Sequence, residues 1–197
     1  MFTGLIREIG RIRGLAPRRG VVRLDIDAPK LAAVANIGES IAVNGICLTV
    51  TGVKGRVFSV EAATETRRLT TFESWRRGGL VHLEPALRAG DALDGHLVQG
   101  HADGVGKIKS FQDVENGKEL EVQVPKSLQK YVVNKGSIAI NGVSLTVNKA
   151  EGDIISVRMI PHTVDGTTFK VKKAGDPVNL EVDIIGKYVE KLHFLGS

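Results

Sequence analysis

Two short rows of polar residues, one in each half of the sequence, are the residues best suited to chemistry. Each row follows an Asn-Gly pair and alternates with apolar residues, which places it on one face of a strand. The rows are Cys47, Thr49 and Thr51 in the first half and Ser144, Thr146 and Asn148 in the second. Hydroxyl, amide and thiol groups are neutral donors and acceptors, which suit a polyhydroxylated or heterocyclic ligand. The alternative is an ordinary solvent-exposed strand face.

The elements that carry these rows are duplicated. The segments SIAVNGICLTV and SIAINGVSLTV are identical at eight of eleven positions, and their Asn residues, Asn44 and Asn141, lie 97 residues apart. Further matches extend the repeat from Gly4 and Gly100 to the Val-x-Leu-Glu segments that begin at Val81 and Val178. Each copy is large enough to fold around its own core. We predict two domains, residues 1–97 and 98–197, with two similar pockets.

Most of the predicted secondary structure is strand. Alternating or apolar runs bounded by Gly, Pro and Asn predict strands at residues 21–26, 56–62, 81–84, 120–124, 154–159 and 178–182. The Asn-Gly pairs at Asn44 and Asn141, each between two apolar runs, predict tight hairpins. About six short strands per copy indicate a small closed antiparallel barrel, so the fold class is all-β.

One helix is predicted, at about residues 185–195. Apolar residues recur there at helical spacing, at Ile185, Tyr188, Val189, Leu192 and Leu195. The periodicity alone leaves two options open, namely that this stripe packs on its own barrel or on another subunit.

Composition excludes several classes of protein. The chain is 42% hydrophobic and 25% charged, with no apolar run long enough to span a membrane and no secretory signal at its start. A single cysteine excludes an internal disulfide and fits a reducing, cytoplasmic location. The net charge of +5 is dispersed in pairs such as Arg76-Arg77 and Lys172-Lys173, which we interpret as solvated surface. No motif predicts nucleic-acid binding.

Six motifs, taken in order along the chain, identify it as a member of the riboflavin synthase family. They are MFTGLI, NGICLTV, GDALDGHLVQGHADGVG, NGVSLTV, PHTVDGTTF and VNLEVDIIGKYVEKL, and they cover essentially the whole sequence. The resemblance implies two six-stranded Greek-key barrels and a C-terminal helix that assembles a homotrimer. It therefore favours a contact between subunits for the apolar stripe.

The resemblance also implies a reaction without metal or redox cofactor. Two molecules of 6,7-dimethyl-8-ribityllumazine dismutate by transfer of a four-carbon unit, giving riboflavin and 5-amino-6-ribitylaminouracil. In this family the donor and acceptor stack between the first barrel of one subunit and the second barrel of a neighbour. Lumazine synthase is a further possible partner.

By similarity, each copy supplies its own set of substrate-binding residues. The first pocket is predicted to contain Gly4, Leu5, Ile6, Ser40, Cys47, Leu48, Thr49, Glu61, Ala62, Ala63, Thr64, Glu65 and Thr66. The second is predicted to contain Gly100, His101, Ala102, Lys135, Ser144, Leu145, Thr146, Ile160, Pro161, His162, Thr163, Val164 and Asp165.

Five residues are candidates for catalysis. His101 is predicted to move the proton of the activated 7-methyl group, because an unperturbed histidine pKa is closest to working pH. Cys47 is interpreted as a nucleophile or hydrogen-bonding group, with a small buried residue as the alternative. Ser144, Thr146 and Asp183 are predicted to orient water or substrate.

The remaining histidines are assigned less directly. His96 is predicted to be structural, and His82 and His193 to lie on the surface. His162 is a possible contact of the ribityl chain.

Two other functions remain as alternatives. A non-catalytic antenna protein built from the same repeats would bind lumazine or flavin without turnover. A barrel module of an oxidoreductase would need a nicotinamide-binding domain, and no GxGxxG motif after a strand is present.

Overall fold

The structure, a computed structural model, describes residues 1–195 of the 197-residue chain, with side chains described as far as His193. The first copy forms a closed antiparallel barrel in the strand order β1-β2-β5-β4-β3-β6. Its strands are β1 (Glu8–Arg18), β2 (Val21–Asp27), β3 (Ser40–Val43), β4 (Ile46–Lys54), β5 (Val57–Ala63) and β6 (Leu80–Pro85). Two short helices, α1 (Pro29–Ala32) and α2 (Thr64–Leu69), and a 3₁₀ turn (Thr71–Ser74) connect them.

The second copy repeats this plan as a closed barrel in the order β10-β11-β8-β7-β12-β9. Its strands are β7 (Gly104–Val114), β8 (Gly117–Gln123), β9 (Ser137–Ile140), β10 (Val143–Glu151), β11 (Ile154–Met159) and β12 (Pro177–Val182). It contains α3 (Lys126–Gln129), α4 (Pro161–Asp165) and a 3₁₀ turn (Thr168–Val171), and ends in α5 (Ile184–Leu195). The predicted all-β fold class and the Greek-key barrels are confirmed. The four short helices α1–α4 were not predicted, because one turn of helix carries too little periodicity.

Period-two alternation explains how each barrel fills its interior. On β4, Ile46, Leu48 and Val50 are buried in the first core, whereas Thr49 is exposed and Cys47 is half-buried. Strand β10 repeats this alternation in the second core. Because successive side chains point to opposite faces, each apolar row places a polar row on the outside of its barrel. The predicted faces are confirmed.

Both Asn-Gly hairpins are present, and they meet. Asn44 and Asn141 have φ angles of 47° and 49°, the left-handed conformation that type I′ turns require. A Cβ atom placed on Gly45 would lie 2.6 Å from the backbone nitrogen of Gly142. The two barrels therefore contact each other through their turns, and an approximate twofold axis relates them.

A buried polar network joins the barrels beside these turns. His82 Nδ1 lies 2.9 Å from the Asn141 carbonyl oxygen, and His82 Nε2 accepts the Thr168 N–H at 2.7 Å. Asn179, the counterpart of His82, donates to the Asn44 carbonyl at 2.8 Å and accepts the Thr71 N–H at 2.7 Å. Each copy thus uses one side chain to bond the turns of the other copy.

The prediction that His82 lies on the surface is wrong. His82 does point out of its own barrel, but the second barrel covers that face and leaves the side chain 0% exposed. Burial is the largest cause that lowers the pKa of His82, the Asn141 carbonyl opposes it and the nearby Lys172 adds to it, and together they bring this pKa to about 4. The bond from Thr168 requires an unprotonated Nε2, so the neutral ring with its proton on Nδ1 fits this network.

The C-terminal helix extends the second barrel. Its Lys187 ammonium donates to Asp103 Oδ1 at 2.5 Å, and Glu190 accepts from Lys130 and Tyr131, so one side of α5 is anchored on its own barrel. The apolar stripe is exposed on this helix, with Ile185, Tyr188, Val189 and Leu192 between 59% and 66% exposed. The side chain of Leu195, the last predicted member of the stripe, lies outside the described residues, as do positions 196–197 of the predicted second domain. Among the described residues, no helix has the length and apolar character needed to cross a bilayer.

Candidate active site

The first of two equivalent sites lies outside β4, where a segment of the second copy crosses it. The Cys47 N–H donates to the Gly100 carbonyl at 2.7 Å. Gly100 has a φ of +79°, and a Cβ atom there would lie 2.7 Å from the Cys47 Cβ. This close approach places the next residue, the exposed His101, at the same site as the thiol.

The second site repeats this geometry outside β10. The Ser144 N–H donates to the Gly4 carbonyl at 2.9 Å, and Gly4 also has a φ of +79°. A Cβ atom on Gly4 would lie 2.5 Å from the Ser144 Cβ. The N-terminal segment therefore lies on the second barrel. Leu5 stands where His101 stands in the first site.

The predicted division of residues between the pockets is wrong in this respect. The prediction groups Gly4, Leu5 and Ile6 with Cys47, and the 100–102 segment with Ser144, whereas the structure exchanges the two segments. A reciprocal backbone pair between Phe2 and Val98, with bonds of 2.7 and 3.1 Å, fixes this crossover at the pseudo-twofold axis. Each site is therefore built from both copies.

Two buried carboxylates hold the crossing segments in place. Glu181 accepts the N–H groups of Gln99, Gly100 and His101 at 2.6–3.0 Å. Glu84 accepts from the Thr3 N–H, the Thr3 hydroxyl and the Gly4 N–H at 2.6–3.0 Å. Burial raises the pKa of both carboxyls, while these backbone donors oppose the rise. Neither residue was predicted as part of a site, although both end the repeated Val-x-Leu-Glu segment.

His96 belongs to the second site. Its Nδ1 lies 2.7 Å from Ser144 Oγ, and its Nε2 is buried without a hydrogen-bond partner among the described residues. Burial lowers the pKa of His96, and the charge of Asp183 partly offsets this. A neutral imidazole beside a hydroxyl can accept its proton. The sequence prediction of a structural role overlooked this pairing, because 48 residues separate the two side chains.

The other predicted polar groups lie on paired strands or directly after a strand. Thr146 pairs with Ser137, and Thr49 pairs with Ser40 in the first barrel. Asp183 directly follows β12 and accepts the Ile185 N–H at 3.0 Å at the start of α5. Ala86 is the counterpart of Asp183 in the first copy, so only the second site has this carboxylate.

A cavity of about 220 Å³ opens beside Ser144. Gly4, Leu5 and Ile6 line one side, and His162 and Thr163 of α4 line another. His162 and Thr163 thus lie beside the same cavity as Ser144, and their contact with substrate stays a prediction. The neighbouring Ile160 is 58% exposed and Val164 lies in the core.

Several predicted binding residues do not present side chains to these sites. Leu48, Ala62, Leu145 and Val164 are buried in the barrel cores, so only their backbones remain available. The other predicted residues around α2 and α4 and near β7 and β9 lie at or near the surface, namely Glu61, Ala63, Thr64, Glu65, Thr66, Ala102, Lys135, Pro161 and Asp165. Lys135 has a φ of 66° and donates its N–H to the Val147 carbonyl at 2.7 Å.

Each site combines small polar groups with a side chain that can move a proton. The first site offers a thiol and an imidazole, and the second offers a hydroxyl bonded to a buried imidazole near a carboxylate. Within the described part of the chain, no group of three or more His, Cys, Asp or Glu side chains is arranged to hold a metal ion.

Comparison with known proteins agrees with this duplicated architecture. The lumazine binding domain family model matches twice, at residues 3–86 and 99–183. Riboflavin synthases from Mycobacterium tuberculosis and Brucella abortus are 40% and 39% identical, over 98% of this chain and 98% of theirs. The Bacillus subtilis riboflavin synthase is 39% identical, over 96% of this chain and 88% of its own.

Solved structures of LumP share the fold. LumP complexed with 6,7-dimethyl-8-(1'-D-ribityl) lumazine superposes with a TM-score of 0.84, and LumP complexed with riboflavin with 0.86. Both are 26% identical to this chain and cover 92% of it and 99% of LumP. The two matches to the domain model, and the 39–40% identity over nearly all of this chain, show that it belongs to the riboflavin synthase family.

Proposed function

We propose that this chain catalyses the dismutation of two 6,7-dimethyl-8-ribityllumazine molecules to riboflavin and 5-amino-6-ribitylaminouracil. The observation that carries this proposal is the pair of pseudo-equivalent sites, each with a small polar row and a crossing segment from the other copy. Two identical reactants supply all the atoms of both products, so the net transfer of a four-carbon unit needs no external oxidant or reductant.

Much of the rate enhancement is expected from holding donor and acceptor face to face. Orientation of two bound reactants can contribute about 7–11 kcal/mol. The neutral hydroxyls and amides of the sites hold the uracil and ribityl groups, and the close-packed glycines bring backbone groups against the rings.

The side chains that differ between the sites give each site its own role. His101 is the proposed base for the 7-methyl proton, and Cys47 the proposed nucleophile or donor beside the same ring. In the second site, His96 accepts the Ser144 proton, so that the hydroxyl oxygen can act as a nucleophile or orient a water molecule. Thr146 and Asp183 position that water.

Assembly into a homotrimer completes the proposal. Four apolar side chains on α5 are exposed, and two of them, Ile185 and Val189, line a groove of about 620 Å³ together with Tyr131 and Val133. Such an exposed patch marks an interaction surface. In the trimer, the first barrel of one subunit faces the second barrel of its neighbour, so that the two lumazines stack between chains.

The trimer is tested by sedimentation velocity on Val189→Glu and Leu192→Glu. Charge on the exposed stripe is expected to give monomers that lose activity but keep the wild-type circular dichroism spectrum. A wild-type protein that is monomeric and fully active at assay concentration refutes the arrangement.

We further propose that the units 1–97 and 98–197 are the two domains, that the enzyme works in the cytoplasm, and that lumazine synthase is a possible partner in the cell. Because the Gly4 carbonyl bonds the Ser144 N–H of the second unit, we expect the second unit to be less stable without residues 1–6. A direct check is to express residues 98–197 alone, which lack the segment that covers β10.

The activity is tested with purified protein and 6,7-dimethyl-8-ribityllumazine, with no added cofactor, by following flavin absorbance. Riboflavin and the aminouracil are expected in equal amounts. Tight binding of the lumazine without any product would favour the second candidate, an antenna-type binding protein. The likeness to LumP favours that candidate, and the 38–40% identity to riboflavin synthases favours the enzyme.

A further inference from the structure

A separate cavity of about 480 Å³ lies between the barrels, beside the two Asn-Gly turns. None of the residues assigned to the two lumazine sites lines it. Its walls come from both copies and include Asn44, Asn141 and the 3₁₀ turns that begin at Thr71 and Thr168. Its volume falls within the range of small-molecule sites, about 300–1,000 Å³.

Two asparagine side chains at this cavity are bonded to protein through their oxygen atoms only. Asn44 and Asn141 are 8% and 2% exposed. Their side-chain oxygens accept the N–H groups of His82 and Asn179, each at 2.8 Å. Their Nδ2 groups, by contrast, donate no hydrogen bond to any described residue. Neither Nδ2 atom is among the fully buried atoms that lack a partner, so both reach the cavity and are available to a ligand there.

The cavity is also cationic. Arg11, Arg76 and Lys172 line it, and Asp176 is its one carboxylate. Arg11 donates to the Gly78 carbonyl at 2.9 Å, and Arg76 donates to two carbonyl oxygens at 2.6 and 2.7 Å. In the described chain, none of the three cations forms a salt bridge, and the Lys172 ammonium has no hydrogen-bond partner. Asp176 accepts the Lys173 N–H at 3.1 Å.

An apolar wall completes the site. Trp75, Ile12, Val81 and Val171 line it, and the Trp75 indole N–H donates to Thr71 Oγ1 at 3.1 Å. Three cations and two neutral donors suit the several oxygens of a phosphate dianion better than a single carboxylate. The aromatic and aliphatic wall suits a flat apolar group attached to that phosphate.

We infer that this cleft is a second ligand site, for a small aromatic phosphate monoester, distinct from the lumazine sites. Because its walls come from both copies, a bound ligand would join the barrels across their interface. Occupancy therefore stabilises the pairing of the barrels that builds the two lumazine sites.

The test uses phenyl phosphate as the probe and calorimetric titration as the measurement. Trp75, the only tryptophan, gives an independent fluorescence signal at the cleft. Saturable binding is expected, with weaker binding of inorganic phosphate and none of phenol. The double variant R76Q/K172Q is expected to weaken binding at least about ten-fold, because it removes two charge-assisted donors.

A matched control is present in the chain. R77Q/K173Q removes the same charge from the adjacent residues, which do not line the cavity, and is expected to bind within about two-fold of wild type. The single variant K172Q keeps the test valid if the Arg76 contacts with backbone carbonyls are needed for folding, since the Lys172 ammonium bonds no described protein group.

Three results would overturn the inference. They are absence of saturable phenyl phosphate binding, equal weakening by both double variants, and displacement of the probe by 6,7-dimethyl-8-ribityllumazine. The first denies a site, the second indicates only general electrostatic attraction, and the third places the probe in a lumazine site.

Discussion

The two proposed lumazine sites share one backbone frame, in which a strand bonds a crossing glycine, but they differ in the side chains placed on it. Cys47 and His101 form the first site, whereas Ser144, Leu5 and His96 form the second. The backbone bond from strand to crossing glycine is 2.7 Å in one site and 2.9 Å in the other, and both glycines have a φ of +79°. A common frame suits two copies of one reactant, and the different side chains allow the two copies to react differently.

The largest effect is expected from breaking the frame itself. Gly100→Ala and Gly4→Ala put a Cβ atom within 2.7 Å of the facing strand, at a backbone conformation that alanine rarely adopts. Turnover should fall at least about 100-fold, since misplacement by about 1 Å can lower rates that much. Flavin formation and thermal unfolding are the measurements.

Gly20→Ala is the matched control for the glycine variants. Gly20 also has a positive φ, 73°, but a Cβ atom there meets nothing within 4 Å. This variant should lose some stability and keep its activity. If Gly20→Ala and Gly100→Ala behave alike, backbone strain rather than close approach explains the effect.

The second prediction tests the side chains that distinguish the sites. His101→Gln should lower kcat by about 100-fold or more, as expected for loss of a general base, with little change in lumazine affinity. Cys47→Ser copies the residue of the second site and should likewise slow turnover more than it weakens binding. Stopped-flow turnover and equilibrium titration separate the two quantities.

Wild-type rates in both His101→Gln and Cys47→Ser would contradict these roles. His101→Leu, which copies Leu5, provides a further check. It should retain binding in the first site while losing proton transfer there.

The third prediction concerns the carboxylates that position the crossing segments. Glu181→Gln places an amide donor among three N–H groups, leaving at least one without its acceptor, at an expected loss of about 1–3 kcal/mol in the free energy of unfolding. Because these N–H groups include that of His101, kcat should also fall, by about ten-fold. Glu84→Gln should lower stability similarly, since Glu84 holds the equivalent N-terminal segment.

Chemical denaturation and steady-state kinetics of the two glutamine variants measure these effects. A Glu181→Gln variant with wild-type stability and kinetics would show that the segment is held by its glycine contact alone. Glu181→Asp, which keeps the charge on a shorter side chain, should recover part of the loss.

The smallest effect at neutral pH is expected from His82→Asn, which copies its counterpart Asn179. The His82 pKa of about 4 is below that of a free histidine, so the unfolded chain binds more protons between pH 6.5 and 4. Wild-type stability should therefore decline as pH falls through that window, by about 3 kcal/mol in total.

The stability difference between wild type and His82→Asn isolates this contribution. Glu84 and Glu181 have raised pKa values and give the opposite slope, but both proteins contain them. Urea unfolding at pH 7, 6, 5 and 4 measures the difference. Parallel stability profiles for the two proteins would mean that His82 protonates without disturbing the network.

Much of this protein was determined by its sequence. The duplication, the Asn-Gly turns and the period-two rows are local patterns, and they predicted the strands, the hairpins and the outward faces of β4 and β10. The resemblance carried by six motifs predicted the family, which the comparisons confirm. Local periodicity suffices for these features because it reports which face of an element is apolar.

Only the tertiary structure decided what covers each outward face. His82 points out of its barrel, as predicted, yet the second barrel buries it. Gly4 lies against Ser144 and Gly100 against Cys47, the reverse of the predicted grouping, and His96 reaches Ser144. These contacts join residues 48 to 140 positions apart, and a repeat that matches both copies equally well does not specify which copy a segment packs against.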